Sequence, residues 1–268
     1  MSAVTEQLIS NDRAVAQLSR LGVERGGVLL VHTSMRAVGG DADDMVDALR
    51  QALGPEGTLV VPSFTTENSD TSPPYLDRVR GLSDAARAAV RASMPPFDPA
   101  ASPAIGMGTL AETVRLARGA ERSAHPQTSF AAIGPAAERL LTRHRPTCHL
   151  GEDSPLARLY ESDARILLLG TGFDTCTAFH LAEYRLPDPP RRLYRCVVAP
   201  EGRRQWWEYE DVALDDSDFA ALGRDFERAD TDGAVRRGRV GSAQSRLIRL
   251  TSAVDFAVGW FKDNRART

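Results

Sequence analysis

The apolar residues of this chain come in short blocks separated by polar, turn-rich stretches. VLLVH (28–32), TLVVP (58–62), SFAAIG (129–134) and RILLLG (165–170) are continuous runs of strand length. That is how strands buried on both faces read. Other segments carry apolar residues at helical spacing. Residues 5–21 place Leu8, Val15, Leu18 and Leu21 on one side, and Gly22 closes the segment. Residues 41–53 do the same with Val46, Leu49 and Leu53, before Gly54 and Pro55. The pattern predicts further helices over 84–92, 108–118, 135–143, 154–163, 176–185, 216–229 and 251–263. Ser154-Pro155 is a good helix start. Residues 192–210 read as a hairpin around a Pro-Glu-Gly turn.

Strand–helix–strand alternation predicts parallel units. The expected fold class is therefore α/β, with a central mixed, largely parallel sheet flanked by helices. Few shifts in composition mark a boundary, so residues 1–268 are expected to form one domain. It carries an irregular excursion at 62–106, which holds seven of the 16 prolines. A C-terminal elaboration is expected from about 188, after Pro187.

Composition narrows the function classes. With 33 basic and 36 acidic residues the formal charge is −3, without the basic excess a duplex binder shows. No apolar run is long enough to span a membrane. The first residues, MSAVTEQLISNDRAVAQL, do not look like a signal peptide. Cys148, Cys176 and Cys196 form no CxxC pair, so a cytoplasmic protein with free thiols is expected. GxSxG, HExxH and Walker A patterns are missing. Gly106-Met107-Gly108 is only a weak phosphate-loop signal, lacking the third glycine of a dinucleotide fingerprint.

Several clusters could carry chemistry. Thr177, His180 and Glu183 lie three apart after the strand RILLLG, so a helix puts them on one stripe. A Glu beside a His fixes its tautomer and favours its charged form, which suits a general base. The same spacing also suits a surface helix with a capping Thr and an ion pair. Arg122, Ser123 and His125 precede a strand and offer an anion fork, a hydroxyl and an imidazole; a polar loop is the plainer reading. His32-Thr33-Ser34-Met35-Arg36 ends a strand, where hydroxyls and backbone N–H groups can grip a carbonyl or amide chain. The acidic run Glu208, Glu210, Asp211, Asp215, Asp216 and Asp218 could face a polycation or simply be solvated.

VLLVHTSMRAVGG, ALGPEGTLVVPSF, RSAHPQTSFAAIGPAAERL, DSPLARLYESDARILLLGTG, TAFHLAEYRLP and the later RRGRVGSAQSRLIR and AVDFAVGW occur in that order. Together they resemble the aminoglycoside 3-N-acetyltransferase family from about residue 10 onward. The resemblance implies that family's own fold, distinct from that of the general N-acetyltransferases. It implies acetyl-CoA as donor, no metal, and as acceptor the 3-amino group of a 2-deoxystreptamine antibiotic, a resistance activity. It puts the catalytic His on His180, with Glu183 as partner and Thr177 nearby. It puts the coenzyme side on Thr33, Ser34, Met35, Arg36, Arg122, Ser123 and His125. For a polycationic acceptor, Glu67, Asp70, Glu183 and Asp211 are candidate wall residues. No nucleic acid or membrane partner is expected, and the protein is expected to be a monomer or homodimer.

Other readings stay open. The acceptor could be a different amine. A hydrolase or transferase could use Ser34 as nucleophile, with His32 or His125 as base. A metal enzyme would have to gather His32, His125, His149 and His180, whose spacing matches no ligand motif. A binding module with a decayed acceptor site is the non-catalytic alternative.

Overall fold

The computed structural model describes residues 10–265. Helix α1 (Asn11–Leu21) ends at Gly22, whose left-handed backbone lets its N–H reach Leu18 and Ser19 carbonyls. The part of the expected first helix before residue 10, with Leu8, lies outside the described residues. Strand β1 (Val28–Thr33) follows, then the single turn α2 (Met35–Val38) and α3 (Ala42–Leu53). The Asp41 carboxylate caps α3 by accepting the Asp43 and Asp44 N–H groups. Next come β2 (Thr58–Pro62), α4 (Pro73–Arg78), α5 (Asp84–Ser93), α6 (Thr109–Leu116), β3 (Glu121–Arg122) and β4 (Phe130–Ile133). They are followed by α7 (Ala137–Leu141), α8 (Pro155–Glu161), β5 (Arg165–Leu169) and α9 (Phe179–Tyr184). The chain finishes with β6 (Arg191–Val198), β7 (Gln205–Val212), α10 (Phe219–Ala229), β8 (Val235–Val240), β9 (Ala243–Arg249) and α11 (Leu250–Asn264).

Seven strands form one sheet in the order β3-β4-β2-β1-β5-β9-β8. The three central strands, β2, β1 and β5, pair in parallel. β4 and β9 run against them, while β3 and β8 turn back again. The sheet is therefore mixed with most strands pointing one way, in the expected α/β class. β6 and β7 make a separate two-stranded sheet. β8 and β9 instead return to the main sheet, so the C-terminal third is split between the two.

The apolar blocks are continuous because helices cover both faces of the sheet. Along β1, Leu30 packs with α7 to α11, while Leu29 and Val31 pack with α1, α3 and α6. In β5, Ile166 and Leu168 alternate likewise with Leu167 and Leu169. At the end of β5 the chain must turn sharply. Gly170 has φ +71°, and a Cβ there would press on Ala37, Ala243 and the Ser34 carbonyl. That turn sends residues 171–177 across the C-terminal ends of the parallel strands.

Candidate active site

Those strand ends open into a cleft of about 320 Å³. β1 contributes His32 and Thr33, and β2 with the start of the 62–106 excursion contributes Pro62 and Phe64. The other end of that excursion returns as Gly106 and Met107, ahead of α6. Thr171, Asp174, Thr175, Thr177 and His180 enter from the segment after β5, while Asp216 and Phe219 close the far side. In α/β sheets this edge is where ligands bind.

His180 and Glu183 sit one turn apart on α9, as their spacing predicts. The imidazole Nδ1 lies 2.7 Å from Glu183 Oε2, which leaves Nε2 for the cleft. Phe179, Leu181 and Ala182 bury the rest of the helix. Phe219 packs on the imidazole with ring centroids 4.7 Å apart. The Glu183 side chain is only 2% exposed. Its Oε1 accepts the Asp215 N–H at 3.1 Å and an Arg265 guanidinium N–H at 2.5 Å. A buried carboxylate needs such partners to remain charged. Beside it, the Asp215 carboxyl is held below its ordinary range, first by hydrogen bonds from Ser217 and also by the charges of Arg265 and His180.

His32 is the second imidazole of the cleft, and it behaves differently. Its Nε2 is buried with no hydrogen-bond partner among the described residues. Burial pushes its pKa down to about 3, and no carboxylate offsets this. It is thus a neutral hydrogen-bonding group near pH 7, whereas His180 has the carboxylate needed to accept a proton. Ser34 makes no hydrogen bond to either imidazole proposed as its base; its N–H donates to the Leu169 carbonyl.

The structure brings Thr177, His180, Glu183 and Thr33 together around the cleft. Ser34, Met35 and Arg36 follow directly on α2, with Arg36 exposed. Arg122, Ser123 and His125 are not brought to the cleft. The Arg122 guanidinium donates to Ser129 Oγ, Thr65 Oγ1 and the Ser63, Pro99 and Ser102 carbonyls. Ser123 Oγ accepts the Phe130 N–H and contacts His144 Nδ1. His125 is fully buried, and its Nδ1 accepts the Gln127 and Thr128 N–H groups. A loop this short before a strand invites an anion-site reading, yet its polar atoms bond the excursion to β4.

The expected acidic wall is also redistributed. Asp70 is buried between the Arg91 and Arg195 guanidinium groups. Glu67 lies 3.9 Å from Arg78. Asp211 is buried against His149 and Tyr184. The acids that do line the cleft are Asp174 and Asp216. Sequence reasoning touched Asp216 in the acidic run, but nothing there separated it from its neighbours. It missed Phe219 and Arg265.

Among the described residues no group of three or more His, Cys, Asp or Glu is arranged to hold a metal ion. No described helix is long and apolar enough to cross a membrane.

A family profile described as aminoglycoside 3-N-acetyltransferase matches residues 30–262. The prophage-derived aminoglycoside N(3')-acetyltransferase-like protein YokD of Bacillus subtilis is 36% identical, over 98% of this chain and 94% of that one. Its crystal structure superposes with a TM-score of 0.88 at 34% identity, covering 98% of this chain and 96% of YokD. Aminoglycoside N(3)-acetyltransferase VIII of Streptomyces fradiae is 36% identical over 95% of this chain and 92% of its own. The structure of AAC-IIIb in binary complex with CoASH gives a TM-score of 0.81 at 28% identity, covering 96% of this chain and 97% of the other.

Proposed function

Because the chain belongs to the aminoglycoside 3-N-acetyltransferase family, we propose that it moves the acetyl group of acetyl-CoA to the 3-amino group of an aminoglycoside, with His180 as general base. The observation that carries this reading is the cleft-facing imidazole held by a buried carboxylate 2.7 Å away. Acetyl-CoA supplies an activated acyl group, and the AAC-IIIb complex with CoASH supports its place here. The cleft suits it. His32 presents a buried, unpartnered nitrogen there, and α6 begins after Gly108 without a side-chain cap. Free N–H groups at a helix start and a neutral imidazole are partners for carbonyl and phosphate oxygens. Thr33, Ser34, Met35 and Arg36 stand beside them on the coenzyme side.

The amine is largely ammonium near neutral pH and attacks only after losing a proton. That proton goes to water; as the neutral amine forms the N–C bond, Nε2 of His180 takes a second proton from the same nitrogen, and Glu183 stabilises the resulting imidazolium. The C–S bond then breaks, and the departing sulfur takes the proton back from His180. Thr177 or nearby backbone N–H groups offset the charge that develops on the thioester oxygen. Transfer is direct. Ser34 has no base bonded to it, and burial pushes the Cys176 and Cys196 thiols up to about 12 and Cys148 to about 11. None of these is an activated nucleophile.

A thiol-release assay with acetyl-CoA and a panel of aminoglycosides tests the reading. Release with 2-deoxystreptamine antibiotics, and none with analogues lacking the 3-amino group, is expected. Equal release with those analogues, or a burst of thiol without amine, would overturn it. Release with an unrelated amine only would move the protein to another acceptor class.

A further inference from the structure

We propose that Arg265 is a positioning residue of the acetyl-transfer site, holding the Glu183 carboxylate aimed at His180. This rests on His180 acting as the base. The guanidinium lies at the C-terminal end of α11, beyond the segment matched by the family profile, which ends at residue 262. It ties three elements to one atom of the dyad. One N–H reaches Glu183 Oε1 at 2.5 Å, two reach the Asp218 carboxylate at 2.6 and 2.7 Å, and another reaches the Asp215 carbonyl at 2.6 Å. The group also lies over the Phe261 ring, 3.8 Å from its centroid.

Glu183 is thus sandwiched, with His180 on one oxygen and Arg265 with the Asp215 N–H on the other. Two consequences follow. The Arg265 and Asp215 N–H groups anchor Oε1 and so aim Oε2 at the ring, which keeps the hydrogen on Nδ1 and leaves Nε2 the accepting nitrogen. The cation also cancels part of the negative charge around His180. The ionisable groups facing that ring are Glu183 on its own helix, Asp174 after β5, Asp215 and Asp216 before α10, Arg265 from α11, and His149 behind it. Burial lowers the His149 pKa, an effect its bond to Asp211 only partly offsets, so that ring adds no charge near pH 7. Without the guanidinium the surroundings are wholly anionic. The imidazolium is then stabilised more than in the wild type.

The test compares wild type, R265M and R265K. Thiol release is followed from pH 5.5 to 9, and the His180 ring is titrated by NMR in substrate-free protein, its signal assigned with H180N. For R265M we expect kcat to fall about 10- to 100-fold at pH 7. KM for acetyl-CoA should stay within about twofold of wild type, since Arg265 touches the dyad and not the coenzyme side. The acid limb of the kcat profile and the NMR midpoint should both rise by about one unit. R265K should recover part of the rate and most of the shift. A folded R265M protein whose His180 midpoint does not move overturns the proposal, whatever its activity. If R265M does not fold, R265K decides. A Lys cannot hold Glu183, Asp218 and the Asp215 carbonyl together, so an R265K kcat equal to wild type would also overturn it. Failure of the wild type to acetylate any amine would instead overturn the functional reading, and the NMR midpoint would still judge Arg265.

Discussion

Asp211 Oδ2 lies 2.8 Å from His149 Nδ1, and the same oxygen accepts the His149 N–H at 2.7 Å and the Tyr184 hydroxyl at 2.6 Å. Asp211 belongs to β7 and Tyr184 to α9, one residue after Glu183. One carboxylate oxygen therefore joins the small sheet to the helix of the dyad. Burial pushes the Asp211 carboxyl up, but the hydrogen bonds from His149 and Tyr184 outweigh it and hold the group below its ordinary range. D211A leaves four donors without this acceptor, the His149 N–H, the His149 ring Nδ1–H and the Tyr184 hydroxyl at Oδ2 and the Val212 N–H at Oδ1. The expected loss is about 3–5 kcal/mol of unfolding free energy, read from urea titrations at pH 7. Turnover should fall less than in H180A. A loss under about 1 kcal/mol would show that the pair is not a structural anchor.

Acid should unfold this protein through its imidazoles. Burial lowers the His32 pKa to about 3 and the His144 pKa to about 4, and takes His125 well below its ordinary value. In the unfolded chain all three titrate near 6.5. Between that pH and the folded values the unfolded state binds more protons, so stability rises with pH and is lost as pH falls. Each such group adds a slope of up to about 1.4 kcal/mol per pH unit. Urea midpoints at pH 7, 6, 5 and 4.5 should drop increasingly steeply below pH 6.5. H144Q should flatten the curve. A midpoint constant from pH 7 to 5 would mean that these rings are charged in the native state.

The central sheet was legible because its strands are buried on both faces and read as unbroken apolar blocks. β8 was not. Its sequence VRRGRV lies at the sheet edge with Arg236, Arg237 and Arg239 exposed, so no apolar pattern marks it. Helix α4 buries no residue, and only its Ser72 cap betrays its start; α5 buries none either, yet it matches the helix expected over 84–92. Within the site, the His180–Glu183 pair was legible because both residues sit on one short helix. The family resemblance puts Arg122 on the coenzyme side, and Asp211 goes to the acceptor wall because a polycation calls for acids. Asp211 is buried and Arg122 half-buried, and the partners lie 57 or more positions away for the Arg122 bonds to Ser63 and Thr65, and 62 for Asp211 with His149. Spacing along the chain cannot reveal such pairings. Arg265 had no local signal at all, since its partners come from α9 and the loop before α10.

The dyad predicts opposite signatures for its two sides. H180A should cut kcat by about 10²–10⁴-fold while acetyl-CoA binding, measured by calorimetry, stays near wild type. E183Q removes the charge that stabilises the imidazolium. Its kcat should fall, and the acid limb of its profile should move to lower pH, since the ring then loses its proton more easily. That is the reverse of the shift expected for R265M. Limbs moving in the same direction in E183Q and R265M would refute the electrostatic account of both residues.

Asp174 and Asp216 line the same cleft as the His180 ring, one from the segment after β5 and one from the loop before α10. An acceptor carrying several ammonium groups meets them as its 3-amino group approaches Nε2. Both carboxylates are open to water, so each contact is worth only a fraction of a kcal/mol to about 1 kcal/mol. D174N and D216N should each raise KM for a polycationic aminoglycoside about two- to fivefold, leave KM for acetyl-CoA unchanged, and lower kcat little. The wild-type KM for the acceptor should rise with salt, and the double variant should lose most of that dependence, because screening acts on the charges removed. An acceptor KM that ignores both substitutions and salt would place the antibiotic's amines elsewhere in the cleft.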